Sequence, residues 1–251
     1  MTHRTPQEHE TLDVLLRGKV ELLQAKRGYR TSVDAMALAF FAASHVDDVH
    51  TCIDLGAGSG LVSILIGKRF RAAHLVLVER QPQMAERAGR NLRLAGLDAR
   101  AEVVTCDVAQ TLPMLPLADL IVCNPPYYQI GPRVAPRDPE RLVAHCETTA
   151  GIERFVAVAA TLLAPDGALC VVYPIELAKR ALAALEAAGL GRIGQARMLH
   201  RVGDASASRV LLHARRSAAS ELSLLPDVHL HPEGAPDSTY DPAIESFLAS
   251  L

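Results

Sequence analysis

From residue 51 onward the chain keeps two rhythms. Short continuous apolar runs, TCIDL (51–55), HLVLVE (74–79), AEVVTCD (101–107), ADLIVC (118–123) and ALCVVY (168–173), have the length and β-branched content of buried strands. Between them the apolar positions shift to helical spacing. A helix is predicted from the glycine-rich GAGSG to about Arg69, and another from about Gln81 to Ala95, with Pro82 in its first turn and Gly96 after its end. In GIERFVAVAATLL (151–163), Ile152, Phe155, Val156, Ala159 and Leu163 share one face, and a further helix is expected from Pro174. Two last strands, near 193–200 and 208–214, flank RVGDASA, a connection short enough for antiparallel neighbours. Strand–helix alternation of this kind predicts an α/β fold: a doubly wound sheet of seven strands, mostly parallel with an antiparallel last strand.

Before that core, LLRGKVELLQ (15–24) reads as a hairpin turning at Gly18. SVDAMALAFFAASH (32–45) reads as a helix capped by Ser32, with Met36, Ala39, Phe40 and Ala43 on one face. The expected organisation is an N-terminal hairpin and helix extension covering the ligand site (1–45), the α/β domain (46–216) and an acidic tail (217–251), irregular with a final short helix.

In an open parallel sheet, ligands bind beyond the carboxyl ends of the strands. The residues that end the first four strands therefore carry the candidate chemistry. DLGAGSG places Gly56, Gly58 and Gly60 so that a ligand can approach the backbone, with a helix N-terminus following. The spacing is G-x-G-x-G, not the dinucleotide fingerprint. Asp54 before it suits a ligand bearing an ammonium group. Glu79 ends the second strand, where an acid can accept from a ribose diol, and Asp107 ends the third, where a carboxylate can accept from an adenine amine. The fourth strand runs into Asn124-Pro125-Pro126-Tyr127-Tyr128. Proline has no N–H and a fixed φ, so the strand must stop in a rigid turn there.

Composition narrows the class. The 251 residues carry a net charge of −2 and no Trp. Arg192, Arg197, Arg201, Arg209, Arg215 and Arg216 stand against Asp204 alone between 189 and 216, and six acids with no Lys or Arg follow from 217 to 251. Such blocks are either solvated faces or a local polyanion patch. Cys52, Cys123 and Cys170 lie in apolar runs with no C-x-x-C pair, so a disulfide framework or a zinc site is not expected. The ten histidines show no metal-ligand spacing, and His145 reads as a loop histidine. The polar start reads as no signal peptide, the lack of an apolar run of about 18 residues predicts no membrane span, and no membrane partner is expected. A cytoplasmic protein, monomer or weak dimer, is expected.

Taken together, DLGAGSG, VER, CDV and NPPY resemble the class I S-adenosylmethionine-dependent methyltransferases of Rossmann-like fold. The Asn-Pro-Pro-Tyr signature is similar to that of the branch acting on planar nitrogens. LLRGKVELLQAKRGYRTSVDAMALAFFA resembles the opening of the bacterial tRNA(Val) adenine-N6 methyltransferase family. The resemblance implies S-adenosyl-L-methionine as cofactor, no metal, and tRNA as a nucleic acid partner. It also implies adenine-N6 methylation, with a protein glutamine-N5 or small-molecule nitrogen as the alternative. A third reading is a donor-binding scaffold that activates a partner; intact Asn124 and Tyr127 argue against it. The donor would be held by Asp54, Gly56, Gly58, Gly60, Glu79, Asp107 and Asn124. Tyr29 would cover its methionine end, a surface aromatic being the other reading. Asn124, Pro125 and Tyr127 would carry catalysis. Tyr128 is either substrate wall or core. Asp34 is either a helix-dipole charge or a donor-site residue. The long segment 129–149 is expected to gate the substrate, with Arg133 and Arg137 on phosphates.

Overall fold

The computed structural model describes residues 4–28, 30–110, 112–126 and 151–251. The expected calls on Tyr29, Tyr127, Tyr128, Arg133, Arg137, His145 and the segment 129–149 lie outside the described residues.

The chain opens with a hairpin of β1 (Glu10–Leu15) and β2 (Val20–Ala25), in register Leu15↔Val20, followed by α1 (Val33–Ala43). The alternating core follows as β3 (Thr51–Leu55), α2 (Leu61–Arg69), β4 (His74–Glu79), α3 (Pro82–Leu94), β5 (Ala101–Thr105) and β6 (Ala118–Cys123). After residue 150 come α4 (Ile152–Leu162), β7 (Leu163–Pro174), α5 (Ala178–Ala187), β8 (Leu190–Arg201) and β9 (Arg209–Arg215). A single 3-10 turn, Ile175–Leu177, leads into α5, because Pro174 still completes the strand.

These strands form one sheet in the order β8-β9-β7-β6-β3-β4-β5, parallel except for β9, which runs antiparallel to both β7 and β8. Strand order reverses beside β3, so β3 and β6 flank the crevice where a doubly wound sheet binds ligands. Apolar side chains fill both faces. One layer holds Leu38, Phe41, Ile64, Leu65 and Leu75; the other holds Ile53, Val76, Ile121, Val156 and Tyr173, all essentially inaccessible. With so few aromatics, Ala, Leu and Val do most of this filling.

The tail departs from expectation. It is not irregular: β10 (Ser217–Leu224) and β11 (Val228–His231) pair in parallel with β8, one after the other, before α6 (Pro242–Ala249). The described sheet therefore has nine strands, not seven. The cause is backbone pairing on a free edge, which composition does not report. Gly191 makes it possible: a Cβ there would stand 2.4 Å from the Ala219 carbonyl oxygen. Alternate Val228 and Leu230 are buried, as a half-covered strand requires.

The acidic tail also explains the basic block before it. Arg197 makes a two-pronged contact with Asp227 (3.0 and 2.5 Å), Arg201 pairs with Asp237, and Arg17 from the hairpin turn meets Glu245 at 2.8 Å. Arg215 and Arg216 are spent on backbone carbonyls, including Asp166 and Ala160. Among the described residues, no helix is long and apolar enough to cross a membrane.

Candidate active site

The parallel register sets the site. Leu55 of β3 pairs with Cys123 of β6, so the next residues, Gly56 and Asn124, leave the sheet side by side. On the other flank, the Gly56 and Ala57 amides both donate to the Val78 carbonyl (2.8 and 3.1 Å), and the Cys106 amide donates to that of Glu79 (3.0 Å). Asp54, Glu79, Asp107 and Asn124 thus come to one edge of the sheet.

A cleft opens at that edge, lined by Thr31, Ala35, Asp54, Gly56, Ser59 and Asn124, with Ala57, Leu61 and Val62 closing it. The glycines are needed for its shape. Gly56 has φ +79° and a Cβ would press on the Phe155 ring at 3.3 Å; Gly60 has φ +85° and precedes the first turn of α2. Thr31 and Ala35 bring the N-terminal extension into the cleft wall.

Asp54 is 2% exposed and accepts from the Ser63 hydroxyl at 2.7 Å. Burial pushes its carboxyl up to about 7; the Ser63 bonds pull it down and nearby Glu79 adds to the rise. A buried acid so poised has an unmet preference for a positive charge. Glu79 is also buried. One of its oxygens accepts from the Gly58 amide and the other from the Gln81 amide, each at 2.8 Å, so it clips the glycine turn to its own strand end. Burial raises its carboxyl, while those amides and Arg80 oppose the rise. Asp107 accepts from the Ala109 amide at 2.9 Å and faces the Arg80 Nε at 3.5 Å. Glu79 and Asp107 do not line the cleft proper; they stand at the next two strand ends. Asp34 is buried against Arg209 at 3.1 Å, an ion pair between α1 and β9.

Three buried polar groups support this edge and were not singled out by the strand-end pattern. Ser63 orients Asp54. Asn91, on α3, donates to the carbonyl oxygens of Ser59 (2.9 Å) and Leu23 (3.1 Å), and accepts from the Leu23 amide (2.7 Å). It joins the hairpin to the glycine loop. Beside it, Glu10 accepts from Arg87 and Arg90; burial works against its charge, but those hydrogen bonds, with the Gln7 amide, bring its carboxyl down to about 2. The signal available in the sequence was a polar residue at an inward helical position: Ser63 in LVSILIGKR and Asn91 in ERAGRNLRL.

Comparison with known proteins fits this geometry. Residues 30–191 match the model of the methyltransferase small domain. The chain belongs to the methyltransferase small domain family. Its sheet and helices are those of solved methyltransferases: a predicted O-methyltransferase from Agrobacterium tumefaciens (TM-score 0.68, 24% identity, 86% of this chain and 96% of that one) and precorrin-6y C5,15-methyltransferase from Geobacter metallireducens (TM-score 0.57, 17% identity, 78% and 94%). Among curated proteins, the tRNA1(Val) (adenine(37)-N6)-methyltransferases of Shigella dysenteriae serotype 1 and Escherichia coli strain SE11 are 34% and 33% identical over 134 residues. That stretch is 53% of this chain and 54% of each relative, so the chain spans about half the length of the curated relatives it matches.

S-Adenosylmethionine is the methyl donor of this family and fold. The candidate cleft suits that donor on physical grounds. A buried Asp54 faces a cleft whose loop turns through glycines at positive φ, and Asn124 leaves the neighbouring strand beside it.

Proposed function

We propose that this methyltransferase modifies the exocyclic N6 of adenine in RNA, with tRNA as the substrate. The observation that carries the reading is the meeting of Asp54 and its glycine loop with Asn124, the first residue of the Asn-Pro-Pro turn, in one cleft. When bound, S-adenosylmethionine supplies a methyl group on a sulfonium, an electrophile that needs no acid from the protein. Asp54 receives the cationic amino-acid end of the donor, Glu79 the ribose hydroxyls and Asp107 the adenine amine.

The target nitrogen is a poor nucleophile because its lone pair is delocalised into the ring. The Asn124 side-chain oxygen and the Pro125 carbonyl accept its two hydrogens at a separation that the prolines hold rigid. That would favour a tetrahedral nitrogen, whose freed lone pair would attack the methyl carbon as the sulfur–methyl bond breaks and the neutral thioether leaves, the methylated nitrogen then shedding one hydrogen as a proton to water. Tyr127 stacks on the flipped base, offsetting part of the cost of unstacking it. The remainder is proximity. The names of the relatives, matched over about half their length, support the adenine-N6 and tRNA parts of this reading.

A second reading, a protein glutamine or a small-molecule nitrogen, is favoured by one observation. Arg197, Arg201, Arg209, Arg215 and Arg216 are bonded within the fold, so phosphate contacts would fall to other groups, Arg133 and Arg137 first. The two readings part in a salt series. Methyl incorporation into unmodified tRNA is compared with incorporation into a release-factor-like glutamine protein. The RNA reading expects tRNA labelling that weakens with salt, and a shallower salt slope for Arg133→Ala with Arg137→Ala. Labelling of the protein alone, indifferent to the arginines, would overturn it.

A further inference from the structure

The tail strands do more than cover an edge. They bring His200 of β8, His231 at the end of β11 and Asp237 in the following turn together, with one ligand-capable atom from each within 4.8 Å of the others. The ladder pairs His231 with Arg201, the residue next to His200, and at this strand end the two histidine rings meet edge to face at 4.9 Å. His200 Nε2 lies 3.4 Å from Asp237 Oδ1.

The supporting contacts are those a metal site uses. His231 is buried, and its Nδ1 is 2.8 Å from the Thr239 carbonyl oxygen. A carbonyl only accepts, so Nδ1 holds the proton and Nε2 keeps its lone pair. The Tyr240 ring stacks on His231 at 5.6 Å with planes 17° apart. Arg201 donates to the Ala235 carbonyl and to Asp237 Oδ1, which fixes the turn. The positive charge of Arg201 opposes a cation here, and its bond to the carboxylate is also what would orient that ligand.

We propose that His200, His231 and Asp237 bind one divalent transition-metal ion, with zinc the best match, and that the ion ties β8, β11 and the 232–241 turn together. Two imidazole nitrogens and one carboxylate oxygen are a borderline donor set, suited to zinc and unsuited to the all-oxygen shells of calcium or magnesium. Three protein ligands at a half-exposed position leave a place for water. The site is separate from the methyl-donor cleft: β8 lies four strands from β3, roughly 19 Å at the usual strand spacing. Its role is structural, and it takes no part in methyl transfer.

The test uses tag-free, chelator-stripped full chain. Zinc chloride is titrated by calorimetry, cobalt(II) is followed by its visible absorption, and the unfolding midpoint is read with and without zinc. The expectation is one ion per chain, a tetrahedral or five-coordinate cobalt spectrum, and a midpoint that rises with zinc. His200→Ala and Asp237→Asn, at exposed positions that leave the core intact, should each weaken binding by at least about tenfold and abolish the midpoint rise. No saturable binding, or binding of unchanged affinity in both variants, would overturn the proposal.

Discussion

Asn91→Ala probes the link between the N-terminal hairpin and the glycine loop of the candidate cleft. Asn91 is fully buried and serves three backbone groups: the Leu23 amide, the Leu23 carbonyl and the Ser59 carbonyl. Alanine removes all three partners at once. A buried polar group left unpaired costs about 1–3 kcal/mol. Three of them, with some recovered by water entering the space vacated, give an expected loss of about 3–5 kcal/mol. Urea unfolding should show a lower midpoint at nearly unchanged slope. Arg93→Ala, at an exposed position two residues on in the same helix, is the control and should stay within about 0.5 kcal/mol. The loss should not be confined to stability. Ser59 and Thr31 line the cleft, and Asn91 holds the segments that carry them. S-Adenosylmethionine should therefore bind several-fold more weakly, even under conditions where the variant is fully folded. A stability loss under 1 kcal/mol would refute the accounting of the three bonds. A large loss with donor affinity unchanged would refute the coupling of hairpin to cleft.

Three further outcomes concern pH. With the Asp54 carboxyl near 7 in the ligand-free protein, a cationic donor favours its ionised form. Donor affinity should rise up to about tenfold per pH unit below 7 and level off above, with proton release visible by calorimetry in buffers of different ionisation heat. Asp54→Asn should flatten that dependence, and an affinity already flat from pH 5.5 to 8.5 in the wild type would contradict it. In the ligand-free state the sign for stability is opposite: the raised carboxyl contributes fully below 3.8, and the contribution is lost as pH rises through about 7. His213 works the other way. Burial, aided by Arg215 and His45, lowers its imidazole to about 4, and its Nε2 is buried without a partner among the described residues. Stability is therefore present above 6.5 and lost as pH falls through 4. His213→Leu should lose less stability than the wild type across that window, by about 2–3 kcal/mol in urea titrations.

Much of this architecture was legible in the chain because local rules and tertiary demands agree there. TCIDL, HLVLVE and ADLIVC are strand-length apolar runs rich in β-branched residues, and the register that follows from pairing them sets Gly56 beside Asn124. The strand-end carboxylates were legible for the same reason, as an edge of the sheet is where a doubly wound fold places polar residues. The tail was not legible. Its Pro-rich, acidic composition suggests irregular chain, yet its backbone pairs with a free edge and its acids meet Arg197 and Arg201. Those partners lie 30 and 36 residues away in sequence, and no periodicity reports them. The same holds for His200, His231 and Asp237, which share a neighbourhood only because β11 continues the cover of β8. Ser63 and Asn91 are an intermediate case: a polar side chain on an inward helical face was visible, but its partners on other elements were not.

The central claim is that the turn beginning at Asn124 activates a planar nitrogen for methyl transfer from a donor held against Asp54. It is tested most directly by single-turnover transfer of labelled methyl from S-adenosylmethionine to unmodified tRNA, wild type beside Asn124→Ala, with donor affinity measured on the same samples. The account predicts label on adenine N6 in the wild type and a fall of about 100-fold or more in Asn124→Ala, while donor affinity changes less than about threefold. Undiminished transfer by Asn124→Ala, or transfer and donor affinity collapsing together, would contradict it and leave the Asn-Pro-Pro turn as no more than the end of a strand.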